Sequence, residues 1–323
     1  MDSPGRRRRA RRTRRPPLLC TALAAVVAVG GTAAGTVYVK ERAHAGAGAV
    51  PSSATPRVRA GAGEEASVES LAQPSVDRDA LLAEAMASVS VEDGAEVSVA
   101  VLDVESGADA SYGSRTFDTA SIVKADILAA LLLQAQDAGR DLTAPERSRA
   151  TAMIENSDNA SASALWEAIG RADGLGTANK RFGLTETEGG DGALWGLTRT
   201  TAADQLTLLR VLFGKDTEGK GGSVLDAGSR AFVRRLMSSV AAGQDWGVSA
   251  AADGTGWALK NGWLPRSTTG LWDVNSIGRV TAGGRDYLVA VLSDGGTTKA
   301  EGVSLVESAA RAAVSALREA DAD

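Results

Sequence analysis

The chain has 323 residues, 44% of them hydrophobic and 23% charged, which excludes wholesale disorder and a polytopic membrane protein. Its formal net charge of −5 conceals a basic block from Arg6 to Arg15 and a correspondingly acidic remainder. Cys20 and His44, the single cysteine and single histidine, both lie near the N-terminus, so the rest of the chain has neither a disulfide framework nor a thiol or imidazole for chemistry.

Residues 1–15 read as a basic cytoplasmic segment, because positive charge directly before an apolar run holds that end on the cytoplasmic side. Topology accounts for the block, and no nucleic-acid partner is expected. Residues 16–39 carry no charge over a length sufficient to cross the hydrocarbon core, and are expected to form a transmembrane signal anchor. The competing reading is a signal peptide cleaved near Ala45, since Ala43-His44-Ala45 has the small-x-small form of a cleavage site. The length of the run and the charges on Lys40, Glu41 and Arg42 favour retention. Lipid attachment at Cys20 fits poorly, because Leu18 and Leu19 precede it and the apolar stretch follows it. Residues 40–75 are expected to be a flexible linker, rich in Ala, Gly, Ser, Pro and Glu. Residues 76–323 then form the single globular domain, outside the cell membrane or secreted if the leader is cleaved.

Within that domain good helix formers predict a helix from Asp77 to Met86. The period then changes: Glu96 to Asp103 alternates around β-branched residues, and Glu105-Ser106-Gly107 turns into a second strand near Ala110 to Gly113. Ser121 to Gln136 is apolar on nearly every side after Lys124, the pattern of a buried helix. Pro145 suits the first turn of a helix running towards Ile154, and a further helix is expected from Ala160 to Ala168. Residues 183–197 are Gly-rich and irregular, and helical periodicity returns over Thr201 to Phe213 and Ser229 to Val240. Strands follow at Gly256 to Gly262, Leu271 to Val280 and Asp286 to Ser293, before a last helix from Ala300 to Glu319. Strands at both ends with helices between them imply one sheet, covered by the terminal helices on one face and a helical subdomain on the other.

Chemistry is narrowed by elimination. A Ser-His-Asp triad, a cysteine nucleophile and an ordinary zinc site all lack their residues, so no metal or cofactor is expected and a serine would need a lysine as its base. Ser121-Ile122-Val123-Lys124 provides that pair at a helix start, where residues three apart share a face. Alone, this spacing is more often a serine cap with a lysine in the first turn. Ser157-Asp158-Asn159 falls between two helices, where a loop can present a hydroxyl and an amide to a cleft or can equally cap the next helix. Lys260-Asn261-Gly262 puts a lysine on a strand, with a glycine that permits close backbone approach. Trp195, Trp246, Trp257, Trp263 and Trp272 are numerous for so aromatic-poor a chain. Trp263 is placed in the cleft, and Trp257 and Trp272 under the sheet.

The three motifs, in this order and on helix start, loop and strand, resemble those of the class A β-lactamase and penicillin-binding serine hydrolase superfamily. The resemblance covers Val76 to Ala313. It implies an α+β fold with a five-stranded antiparallel sheet, flanking terminal helices and a reduced helical subdomain, since the interval from Ser121 to Ser157 is short for class A enzymes. It also implies roles: Ser121 is acylated, Lys124 deprotonates it, Ser157 relays a proton to the leaving nitrogen, Asn159 holds the substrate amide, and Lys260 attracts a substrate carboxylate. The N–H groups of Ser121 and Trp263 form the oxyanion hole. Asn261, in place of the usual hydroxyl residue, and Gly262 complete the substrate-binding set. Thr198-Arg199-Thr200-Thr201 resembles the helix start after the family's deacylating loop, but the preceding residues lack the family's Glu-x-x-Leu-Asn pattern and leave only Glu188 or Asp191 for that role. The expected partners are a small molecule or a peptidoglycan-type substrate and the membrane through residues 16–39, with the domain a monomer. Three functions stay open: β-lactam hydrolysis, a slowly deacylating penicillin-binding peptidase or esterase, and an envelope-binding domain of weak activity.

Overall fold

A computed structural model describes residues 76–214 and 223–320. The basic segment, apolar run and linker expected over residues 1–75 lie outside them. Among the described residues no helix is long and apolar enough to cross a membrane.

Five strands form one antiparallel sheet: β1 (Glu96–Asp103), β2 (Asp109–Tyr112), β5 (Trp257–Pro265), β6 (Trp272–Ala282) and β7 (Arg285–Gly296), in the order β2-β1-β7-β6-β5. A separate two-stranded ribbon pairs β3 (Phe117–Asp118) with β4 (Arg199–Thr200). Strand alternation sorts the sheet's side chains between two cores. Val97, Val99, Val101, Val289, Val291, Val274 and Val280 join one cluster with α1 (Arg78–Met86) and α8 (Lys299–Ala320), whereas Ala100, Leu102, Leu288, Ala290, Leu292 and Ile277 join the other. In α8 the first of these clusters is met by Leu305, Val306, Ala309, Ala310, Ala313, Val314 and Leu317, a stripe at helical spacing. Gly302 lies so close to the sheet that a Cβ there would be 2.5 Å from a Val274 methyl.

The other face carries α2 (Val123–Asp137), α3 (Ala144–Glu155), α4 (Asn159–Ile169), α5 (Arg171–Phe182), α6 (Ala202–Phe213) and α7 (Ala227–Met237). α2 is buried from Val123 to Leu133, as its apolar run predicts, because helices surround it. Thr143 and Glu146 form a reciprocal capping box at the start of α3, with Pro145 in the first turn. α5 is unanticipated: Gly174 and Gly176 depress its propensity, and tertiary packing overrides that preference. Gly174 is required there, since a Cβ would lie 1.6 Å from Ile169 O.

Candidate active site

Ser121 sits in a short 3-10 helix, Ala120–Ile122, that leads directly into α2. Ala120 has φ 47° and Ser157 has φ 55°, so two non-glycine residues in the left-handed region flank the cleft. Such backbones cost roughly 1–3 kcal/mol each and persist only where the surroundings enforce them. Ser157 immediately precedes the N-cap of α4, Asp158, whose carboxylate caps that helix by accepting from Ser161 N at 2.7 Å. The tripeptide therefore does both things open to it: Asp158 caps, while Ser157 and Asn159 face Lys124.

Lys124 is fully buried in the first turn of α2. Its Nζ donates to Ser157 O at 2.7 Å, Ser157 Oγ at 3.0 Å and Asn159 Oδ1 at 2.8 Å, which occupies all three donors of an ammonium. Lys260, 1% exposed on β5, donates to the same Ser157 Oγ at 3.1 Å and to Asn261 O at 2.9 Å. Two amines thus share one hydroxyl. Burial lowers the Lys124 pKa to about 8, against a smaller upward pull from the Asp158 charge. Burial, and then the Lys124 charge, hold Lys260 well below the ordinary lysine range. A neutral Lys260 can accept the Ser157 hydroxyl proton, so Lys124, Ser157 and Lys260 form a continuous proton path. The Ser121 hydroxyl, half-buried, makes no hydrogen bond to the described residues, and Lys124 must exchange one acceptor to reach it.

β5 is an edge strand, and its ladder parity is readable from its two ends. Arg266 N donates to Leu271 O at 2.8 Å and Thr281 N to Gly256 O at 2.6 Å, so the even-numbered residues bond β6. The N–H and C=O of Asn261 and Trp263 therefore project from the free edge. Pro265, which ends the strand with the same parity, has no N–H to present there. The remaining space beside this edge belongs to the Thr119–Ile122 turn: a Cβ on Gly262 would lie 2.7 Å from both Ser121 N and Thr119 O.

Five expectations are corrected by this geometry. Asn261 does not face the cleft. It is 1% exposed, and its Nδ2 donates to Gln244 O and Trp246 O at 2.9 and 2.8 Å, tying β5 to the 244–246 loop on the α8 side. Gly262 admits the chain's own Thr119–Ser121 backbone where substrate backbone was expected. The Trp263 ring also turns to the α8 side, 5.9 Å from the Trp246 ring with Lys299 Nζ 3.8 Å above it, and only its main chain borders the cleft. Glu188 is exposed and its main chain pairs with Arg199 at 2.9 and 2.8 Å. Among the described residues no carboxylate hydrogen-bonds to Ser121, Lys124, Ser157 or Lys260. Lys260, being buried, is also not exposed to an incoming carboxylate.

Trp195 is the site residue that sequence reasoning missed. The loop joining α5 to β4 returns over the site and places its ring 4.9 Å from Lys124 Nζ. Only the path of that loop creates the contact, and nothing in the residues around Trp195 signals it. Trp257 and Trp272 pack against the α8 cluster as expected, and Arg266 and Arg279 are engaged by Asp118 and Asp286. Among the described residues there is no cluster of His, Cys, Asp and Glu that could hold a metal ion.

The family model for the Beta-lactamase enzyme family matches residues 143–317, a span that includes Ser157 and Lys260 but begins after Lys124. A protein named "Putative lipoprotein LppW" in Mycobacterium tuberculosis and Mycobacterium bovis is 30% identical over 178 residues, 53% of this chain and 55% of that protein. The chain thus spans about half the length of the curated relatives it matches. A variant of PBP-A, solved as an acyl-enzyme complex with penicillin G, is 20% identical with a TM-score of 0.61, over 74% of this chain and 97% of that one. A beta lactamase from Burkholderia vietnamiensis is 22% identical with a TM-score of 0.60, over 75% and 97% of the two chains. At these identities the structural likenesses establish the fold.

Proposed function

The chain belongs to the Beta-lactamase enzyme family, and from that premise we propose that it is a serine hydrolase in which Ser121 takes an acyl group from an amide or β-lactam and gives it up slowly. The observation that carries this reading is the pair of buried lysine amines on one hydroxyl, Ser157 Oγ, beside the Ser121 turn. Neutral Lys124 takes the Ser121 hydroxyl proton as Oγ bonds to the carbonyl carbon. The N–H groups of Ser121 and Trp263 face the developing oxyanion, the former from the turn and the latter from the free edge of β5. When the C–N bond breaks, Ser157 passes its proton to the leaving nitrogen and is reprotonated through Lys124 or Lys260. Asn159 Nδ2, without a partner among the described residues, is left to bind a substrate carbonyl.

A slow second step is supported by what surrounds Ser121, where among the described residues no carboxylate hydrogen-bonds to Ser121, Lys124, Ser157 or Lys260 to activate water. This favours the penicillin-binding type of behaviour over rapid β-lactam destruction. An envelope location outside the membrane, with residues 16–39 as the anchor, fits a peptidoglycan-type substrate, and the relatives' name, putative lipoprotein, is consistent with an envelope location by a different attachment.

Incubation of the purified domain with benzylpenicillin, followed by intact mass and by β-lactam absorbance, tests the proposal. The expected result is a persistent adduct that Ser121→Ala abolishes. Fast turnover without accumulation would make the protein a β-lactamase, and neither adduct nor turnover would reject Ser121 acylation.

A further inference from the structure

We propose that the Trp195 indole is a shutter against Lys124 that keeps hydrolytic water from an acyl group on Ser121, so that this one ring sets the lifetime of the acyl-enzyme. This rests on the acylation of Ser121 proposed above and goes on to name what controls its reversal.

Lys124 Nζ has its three hydrogen-bond acceptors on the Ser157 and Asn159 side, and the Trp195 ring lies 4.9 Å from it. The ring is fixed at its far end, where Nε1 donates to Ser163 Oγ on α4 at 3.1 Å. Its backbone begins a short 3-10 helix, Trp195–Leu197, closed by Leu197 N to Leu194 O at 2.9 Å and Thr198 N to Trp195 O at 3.1 Å. The loop before it is held by the buried Trp166, whose Nε1 donates to Gly192 O at 2.8 Å, and by Gly190 N on Thr198 Oγ1 at 3.2 Å. On the other side a Cβ at Gly196 would come 4.0 Å from Ala120 Cα, so this short helix lies against the residue before the nucleophile. The indole is therefore a built part of the cleft wall.

Hydrolysis of the acyl-enzyme needs water oxygen to bond to the acyl carbon while the C–Oγ bond to Ser121 breaks. One water proton must pass to a base and return to Ser121 Oγ, and the other leaves with the acid product. The base available in the cleft is Lys124 itself, neutral again once its proton has passed through Ser157 to the leaving nitrogen. An indole face there accepts no such proton and displaces the water that would give it. Glu188 and Asp191, the two carboxylates the sequence left for this role, are both exposed to solvent on the same loop.

The test is a pulse and chase. The protein is acylated with benzylpenicillin, excess reagent is removed, and loss of the adduct mass is followed with time, with the rate of adduct formation recorded separately. Trp195→Ala should shorten the adduct half-life tenfold or more. Ser163→Ala, which removes only the hydrogen bond that fixes the ring, should shorten it to an intermediate degree and keeps the proposal testable if the larger truncation fails to fold. A purely structural contribution would slow adduct formation and lower the melting temperature without hastening decay. Adduct on wild-type Ser121 with an unchanged half-life in both variants overturns the shutter alone. Absence of any adduct on the wild-type protein overturns the acylation reading, and the shutter with it.

Discussion

Replacing Gly262 by alanine puts a methyl group where the nucleophile's own backbone already lies. The new Cβ would be 2.7 Å from Ser121 N and Thr119 O and 2.9 Å from Ile122 N, all backbone atoms of one turn. Ordinary contact begins near 3.4 Å, so the turn must withdraw by about 0.7 Å or β5 must bend away from β6. Overpacking of this kind costs about 1–3 kcal/mol. At roughly 2–4 °C per kcal/mol for a domain of this size, the melting temperature should fall by roughly 2–12 °C. The effect on chemistry should be larger in proportion. In the proposed acylation Ser121 N and Trp263 N converge on one oxyanion, and a displacement approaching 1 Å typically costs about 100-fold in rate. Thermal unfolding by circular dichroism, paired with the rate of adduct formation by intact mass, separates the two effects. A Gly262→Ala protein that melts and acylates like the wild type would refute the account of how β5 and the nucleophile turn are fitted together.

Three further outcomes follow from the site and its supports. With Lys124 lowered to about 8 by burial, the rate of acylation should rise with pH through that value, and a rate flat from pH 6 to 9.5 would remove Lys124 as the base. Asp126, buried behind Lys124 on α2, has its carboxyl raised to about 7 by burial, opposed by a hydrogen bond from Asn179 and aided by the Asp204 charge. Its contribution to stability is complete below the unfolded value of 3.8 and is lost as pH rises through about 7, so Asp126→Asn should flatten the decline in urea midpoint across that window, and an unaltered profile would contradict the assignment. Asn261→Ala leaves Gln244 O and Trp246 O without their donor, which should cost about 1–3 kcal/mol of stability in denaturant titration; loss of acylation with full stability would instead put the side chain back in the cleft.

What could be read in the residues was whatever chemistry depends on short spacing. Ser121 and Lys124 fall where the motif put them, in the short helix and the first turn of α2, and Ser157 and Asn159 flank a cap whose loop position is itself written in the chain. The sheet was legible for the same reason: β1, β6 and β7 alternate strongly, and their two faces meet separate cores. What escaped depends on long-range placement. The orientation of Asn261 and Trp263 follows from which face of β5 meets α8 and the 244–246 loop, and no motif three residues long contains that information. Trp195 reaches Lys124 only because a loop doubles back, and α5 forms against its glycines because α2 and α4 pack on it. The displacement of Glu188 has the same origin, since its pairing with Arg199 is decided by the β4 ribbon.

An open sheet edge beside a nucleophile would ordinarily be a template for another strand, and Pro265 bears on that hazard. By parity it falls where the next outward N–H would be, so the ladder offered to solvent ends just past Trp263, while Lys260 already occupies Asn261 O. A neighbouring copy finds too few rungs to grow a continuous sheet. The same brevity limits a substrate to a short stretch of main-chain pairing, so discrimination between substrates must come mainly from what lies on either side of the scissile bond and little from an extended peptide's length.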